Sequence, residues 1–238
     1  MAQRSRNEEP GVFPTTIWSN VIFARGDGGA ADEMLSGLCQ SYWYPIYAFV
    51  RRHGHNVHDA QDLTQDFFAR IIHKDYLSQA DPKKGRFRSF LLTALKWHLA
   101  NEWNKGLTIK RGGAATILSL DEEMAEDRFQ AEGGSDESPE RRYDREFARS
   151  VFERVMDALR RENKDDRFES ITTHLFGKTA QSYAQTAKQI GLSEGGVKTA
   201  VRRLRQRCAD RFRFEVAKMV ARPKDIEEES RYLFSLLD

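Results

Sequence analysis

Three aspartates, Asp59, Asp62 and Asp66, stand three and four residues apart, with His53, His55 and His58 just upstream. Carboxylates and imidazoles gathered like this suit metal-dependent phosphoryl transfer, in which bound cations polarise a phosphodiester. That chemistry needs more ligands than this stretch supplies. No helper carboxylates gather nearby in sequence, and no Cys or His follows the histidines at ligand spacing. Gly54, between two of the histidines, reads as a turn in a polar inter-helix loop. The aspartates have two other readings. Near a helix start they complement the helix dipole. On the helix's outer face they form an acidic docking surface, which repels DNA and must meet something else. There is no Gly-rich phosphate loop, no Ser/His/Asp arrangement and no convincing metal set. The chain therefore reads as a non-enzyme with no cofactor.

A second group of residues offers binding in place of bond-making. Ser182 to Arg207 reads as helix, tight turn, helix. Ala187, Gly191 and Val197 lie at i, i+4 and i+10. The small Ala187 suits a helix crossing, Gly191 suits a left-handed turn, and Val197 faces the first helix. Ser193 is a natural cap for the second helix. Ile190, Leu192, Val197, Val201 and Leu204 form the buried side, with Lys198, Arg202, Arg203, Arg205 and Arg207 on or around the other. A helix that enters the major groove needs such a front and back. A third group combines cations with aromatic planes: Lys83, Lys84, Arg86 and Arg88, then Lys96, Trp97, Asn101 and Trp103. Cations hold phosphates and aromatic rings stack on unpaired bases. Helix geometry alone leaves Trp97 and Trp103 open between that role and the core.

These groups must be placed by helices. Thr15 or Thr16 caps a short helix with Ile17, Trp18, Val21 and Ile22, after a disordered stretch at 1–14. A second helix runs from about Ala30 to Val50, with Pro45 expected to kink it. Ala60, Leu63, Phe67 and Ile71 form the buried stripe of a helix over 59–72. Phe87, Phe90, Leu91, Ala94, Leu95 and Leu99 do the same over 87–104. Residues 107–140 lose periodicity and carry Gly, Ser and acid, the composition of a linker; Leu118, Leu120 and Met124 give it one short docked segment. Helices return at 139–163 and 167–180, then come the helix pair, running on to about Val220, and a last amphipathic helix over 225–237 beyond Pro223. No stretch alternates as a strand, so the expected class is all-α.

Charge is segregated along the 238 residues although the net charge is only +2. Eight cations face the single anion Glu102 between Lys83 and Arg111. Eleven anions face four arginines between Asp121 and Glu146, and from Val197 to Arg213 Asp210 is the only anion. Basic, acidic, basic suggests two nucleic-acid surfaces joined by an acidic connector. Cys39 and Cys208 have neither a disulfide framework nor zinc spacing, which fits a reducing cytoplasm. No apolar run approaches a membrane span, and the first residues lack a hydrophobic signal core.

With their order and spacing, these modules resemble a bacterial RNA polymerase sigma factor of the extracytoplasmic-function (ECF) type, in its two-domain form. Asp59-Ala-Gln-Asp-Leu-Thr-Gln-Asp-Phe-Phe-Ala-Arg70 resembles the family's polymerase-docking helix. Gly85-Arg-Phe-Arg-Ser-Phe-Leu-Leu-Thr-Ala-Leu-Lys-Trp-His-Leu-Ala-Asn-Glu-Trp103 is similar to the helix that melts and reads the start-proximal promoter element. Ser182 to Arg207 is similar to the helix-turn-helix that reads the distal element. The likeness covers about 30–106 and 143–215. The Phe-Pro-Thr-Thr-Ile-Trp opening, the Tyr-Trp-Tyr-Pro-Ile-Tyr run and the acidic C-terminal helix resemble an ECF-like subgroup.

The resemblance implies two helical domains, 15–106 and 141–222, an acidic linker at 107–140 and a C-terminal helix at 223–238. It implies that Asp59, Asp62, Gln65 and Asp66 meet core RNA polymerase, and that the linker follows the RNA exit path. Lys83, Lys84, Arg86, Arg88, Lys96, Trp97 and Asn101 would serve the opened element. Lys198, Thr199, Arg202 and Arg203 would serve the distal one. The chain departs from the family at Ala200, where many relatives carry Arg, in lacking a leucine-proline pattern before the helix pair, and in the added C-terminal helix. Control by an anti-sigma partner, by phosphorylation or by that helix stays open. Two other readings also stay open: a dimeric helix-turn-helix regulator that never meets polymerase, and a metal-dependent nucleic-acid enzyme built on Asp59, Asp62 and Asp66.

Overall fold

Apolar residues recurring every three or four positions make helices, and helices account for all the regular structure seen. The computed structural model describes residues 42–72, 86–104, 122–133, 136–163, 167–177 and 179–237. Along them run α1 (Trp43–Arg52), α2 (Val57–Ile72), α3 (Phe87–Asn104), α4 (Glu122–Ala131), α5 (Pro139–Glu162), α6 (Arg167–Thr172), α7 (Tyr183–Ile190), α8 (Glu194–Ala217) and α9 (Ile226–Ser235). No strand occurs among the described residues, and the protein is all-α. The expected helix at 15–22, the start of the helix from Ala30, Cys39, Lys83, Lys84, Leu118 and Leu120 lie outside the described residues.

Pro45 does not kink a long helix in the described part. Helix α1 begins at Trp43, so Pro45 is its third residue. First-turn N–H groups have no intrahelical acceptor, so a proline there forfeits nothing. The helix buries Trp43, Ile46, Tyr47, Phe49 and Val50.

Helix α5 is the central strut. Ser138 caps it by accepting from the Arg141 N–H at 3.2 Å, and Pro139 occupies the first turn. It packs against α1, α3, α8 and α9. Tyr143, Phe147 and Val151 are fully buried on it, with Val155, Met156 and Leu159 further along. Phe147 stacks on Tyr42 at 4.2 Å between ring centres. One core runs from Tyr42 through α5 to Leu233 of α9. Helices assigned above to two domains thus share a core, because α5 buries residues against partners from both halves.

The pair α7 and α8 follows the sequence pattern closely. Ser182 and Gln185 form a reciprocal capping box on α7. Gly191 ends α7 with φ of 68°, the left-handed region that a glycine adopts without strain. The Ser193 hydroxyl accepts from the Gly196 N–H at 3.0 Å and starts α8. Ala187, Val197 and Val201 form their own small core. Helix α6 ends at Thr172, short of the expected 180. The Thr172 and Thr173 hydroxyls donate back to the Glu169 and Ser170 carbonyls. His174 then lies buried against Thr186 of α7, with Nε2 to Oγ1 at 2.8 Å.

Candidate nucleic-acid interface

Helix α3 has two unlike sides. Phe87, Leu91, Leu95 and His98 are buried against the bundle, while Ser89, Thr93, Lys96, Trp97, Ala100 and Trp103 face outward. Trp97 is 51% and Trp103 75% exposed, which removes both from the core. Two exposed indoles beside a lysine form a surface suited to stacking on unpaired bases. Lys96 reaches the Glu140 carboxylate at 2.7 Å, with both side chains about half exposed. Asn101, half-buried, stands one turn beyond Trp97.

Arg86 and Arg88 do not fit the expectation that they present themselves to promoter phosphates. Arg88 is 7% exposed. Its Nε donates to Glu229 at 2.5 Å, its NH1 to Asp144 at 2.5 Å, and its guanidinium lies 4.6 Å from the centre of the Tyr232 ring. Burial works against the Arg88 charge, but the Glu229 and Asp144 carboxylates outweigh it and hold the guanidinium pKa above its usual value. Arg86 bonds Glu228 at 2.6 Å and Glu229 at 2.8 Å. In this arrangement both arginines are held by carboxylates of the chain itself. The reason is tertiary: α9 returns to the start of α3 from 141 positions away.

Helix α2 buries Ala60, Leu63, Phe67, Phe68 and Ile71 and turns its carboxylates outward. Asn56 accepts from the Asp59 N–H at 2.9 Å and donates to the Asp59 carboxylate at 2.7 Å, so Asp59 helps cap its own helix. Asp62 is exposed, and Gln65 and Asp66 are half-buried. Arg70 donates from Nε to Asp66 Oδ2 at 2.8 Å, and His98 Nε2 lies 3.8 Å from the same oxygen. Asp66, His98 and Glu102 bring ligand atoms within 4.8 Å of one another. Sequence reading missed this grouping because α2 and α3 meet only in the fold. The guanidinium of Arg70 already compensates Asp66, and Asp59, Asp62, His53, His55 and His58 take no part in it. His53 serves its loop instead: Nδ1 is 2.8 Å from the Phe49 carbonyl and the ring lies 4.1 Å from Phe49.

On α8, Lys198, Thr199, Arg202 and Arg203 are all exposed, as expected. Lys198 pairs with Glu194 at 2.7 Å, one turn earlier. Arg205 donates to the Leu175 and His174 carbonyls, and Arg207 bonds Asn163 and Glu162, so these two are occupied within the fold. Ala200 is half-buried.

The acidic connector contains α4, docked largely by charge. Glu126 accepts from Arg51 at 2.8 and 3.0 Å and from the Tyr47 hydroxyl at 2.5 Å. The Arg51 guanidinium, against a smaller opposing effect of burial, draws the Glu126 carboxyl down to about 2, and Tyr47 adds to the fall. Glu132 bonds Tyr44 at 2.6 Å and also Arg52. Met124, expected to dock the connector, is 67% exposed; Ala125 is the buried residue. Cys208 is buried, which pushes its thiol to about 11 and leaves it unreactive.

An all-α protein in which an acidic helix lies beside a basic helix displaying two tryptophans is a candidate for handling opened nucleic acid. Residues 38–105, which contain α1, α2 and α3, match the family model of Sigma-70 region 2. The match supports a sigma-70 family factor, a transcription regulator that works with core RNA polymerase on promoter DNA in transcription initiation. No curated protein and no solved structure matches the chain. No helix among the described residues is long and apolar enough to cross a membrane.

Proposed function

We propose that the protein is an ECF-type sigma factor of the cytoplasm, which binds core RNA polymerase and directs initiation from a defined set of promoters. The carrying observation is the outward pair Trp97 and Trp103, beside Lys96, inside the segment that matches Sigma-70 region 2. Indole planes trap bases that leave the duplex, and each stacked base contributes about 1–3 kcal/mol. Helix α2 is the docking element, with Asp62, Gln65 and Asp66 meeting a basic surface of the polymerase and Asp59 fixing the helix start. Helices α7 and α8 form the helix-turn-helix. Lys198, Thr199, Arg202 and Arg203 face the distal promoter element, some of them on phosphate and some on base edges.

No bond is made or broken by this chain; polymerase supplies the catalysis. A polymerase-independent dimer would need a self-association surface, and the amphipathic α9 is the helix that could offer one. Ile226 and Leu233, on its apolar side, are already buried within the chain. An anti-sigma regulator remains compatible with this reading. The test is capture of core polymerase by the full chain and by an Asp62→Lys/Asp66→Lys variant. The natural chain is expected to co-purify at moderate salt, and the variant to lose association with its helix content unchanged. Equal capture of both would remove α2 as the docking element.

A further inference from the structure

We propose that α9 is an internal nucleic-acid mimic, which in the free protein occupies the arginines at the start of α3 and must leave before promoter DNA can be opened. This rests on the proposed role of α3 as the DNA-melting helix. Everything α9 offers to Arg86 and Arg88 imitates a strand of DNA. Glu228 and Glu229 supply the oxygens that phosphates would supply, at 2.5 to 2.8 Å. Tyr232 supplies an aromatic face to the Arg88 guanidinium, as a base would, and its hydroxyl donates to Asp144 at 2.6 Å, locking the ring in place.

The backbone takes part as well. The Phe87 N–H, the first of α3 and without an intrahelical acceptor, donates to the Met219 carbonyl at 2.9 Å. The Tyr42 hydroxyl points to the same residue's sulfur. The chain just after α8 therefore closes the start of α3, and the turn at 223–225 delivers α9 onto it. Lys96, by contrast, pairs with Glu140 of α5 in a half-exposed bond and lies outside the cover that α9 provides.

The energetics suit a release. Apolar contacts of Ile226 and Leu233 hold α9 to α5 and α8. Its ion pairs add little net attachment. The Glu228 side chain is 70% exposed, and an exposed pair contributes little. The buried Arg88–Glu229 pair sets Coulomb attraction against two desolvated charges and comes out near balance. Phosphates can replace the carboxylates at small cost, whereas neutral ligands cannot. The helix thus screens α3 against stray DNA while yielding to a promoter strand presented on the polymerase, where tethering raises the local concentration.

The test compares the natural full chain with Glu228→Gln/Glu229→Gln, which keeps the shapes and removes the two charges. A Glu153→Gln/Glu169→Gln control carries the same charge change elsewhere and takes one carboxylate charge each from Arg128 and Arg160, away from α3 and α8. Binding of a labelled single-stranded oligonucleotide is read at one salt concentration without polymerase. The tail variant is expected to bind about five-fold tighter or more, and the control to change much less. Equal affinities, or equal tightening in both variants, overturns the proposal. Should the tail variant fail to fold, hydrogen exchange of residues 226–235 in the natural chain decides. Protection is expected in the free chain and loss of protection once core polymerase and forked promoter DNA are bound. Retained protection in that complex overturns the proposal. If no complex with core forms, the sigma-factor reading itself fails, and the oligonucleotide comparison still judges the role of α9.

Discussion

Two cationic helices in this protein carry the same kind of side chain in opposite situations. At the start of α3, Arg88 is 7% exposed and enclosed by Glu229, Asp144 and Tyr232. On α8, Arg202 and Arg203 stand in solvent. Both were placed on DNA by residue type and spacing. The difference teaches that a basic helix becomes an interface only when nothing else in the fold answers its charge. Helix α8 presents its cations openly in this structure, and α3 is partly covered, its tryptophans outside and Arg88 within.

The largest effect that would break the contrast is on stability. Arg88→Ala leaves the Asp144 carboxylate without its cation and the buried Glu229 with Arg86 alone, and is expected to cost about 3–5 kcal/mol. Arg202→Ala, on an exposed face, is expected to stay within about 0.5 kcal/mol. Urea denaturation of both variants measures this, and equal midpoints would erase the distinction. Next comes binding. Trp97→Ala is expected to leave the denaturation midpoint nearly unchanged and to weaken single-strand binding by about 1–3 kcal/mol. The opposite pattern, lost stability with intact binding, would return Trp97 to the core.

A smaller effect is set by acid. The Glu126 carboxyl lies well below its ordinary 4.5 in the fold, so its contribution is complete above that value and fades as pH falls towards about 2. Glu126→Gln should therefore cost about 1–3 kcal/mol at neutral pH. The gap from the natural chain should close on acidification. A pH-independent gap would mean that α4 is not docked by that charge. Smallest of the four, Ser193→Ala removes the cap of α8 and is expected to cost about 1 kcal/mol in thermal unfolding. A cost of that size with distal-duplex binding otherwise unchanged would show that α8 is shaped locally.

Much of this was legible locally. The bounds of α3 and the turn between α7 and α8 follow from apolar spacing, Gly191 and Ser193, because each depends on residues within a turn or two. What escaped depends on distance along the chain. Nothing near Arg88 announces Glu229, and nothing near Glu126 announces Arg51 and Tyr47. Charge docking leaves no apolar period to read, so the docking of the connector is expected at Leu118, Leu120 and Met124, whereas Glu126 and Glu132 hold α4. The exposure of Trp97 was undecidable from spacing, since apolar residues surround most of the α3 circumference and only the packing selects which side is buried. The role of Pro45 depends on where its helix begins, and in the described residues that start is Trp43, two residues before it.

The central claim is best tested by transcription in vitro. Purified core polymerase and the full chain are combined on a promoter library, and the start sites are sequenced. The account predicts initiation from a small set of sites sharing two spaced elements, lost with Trp97→Ala or Arg202→Ala. No initiation above core alone, or initiation without a shared sequence, would contradict it.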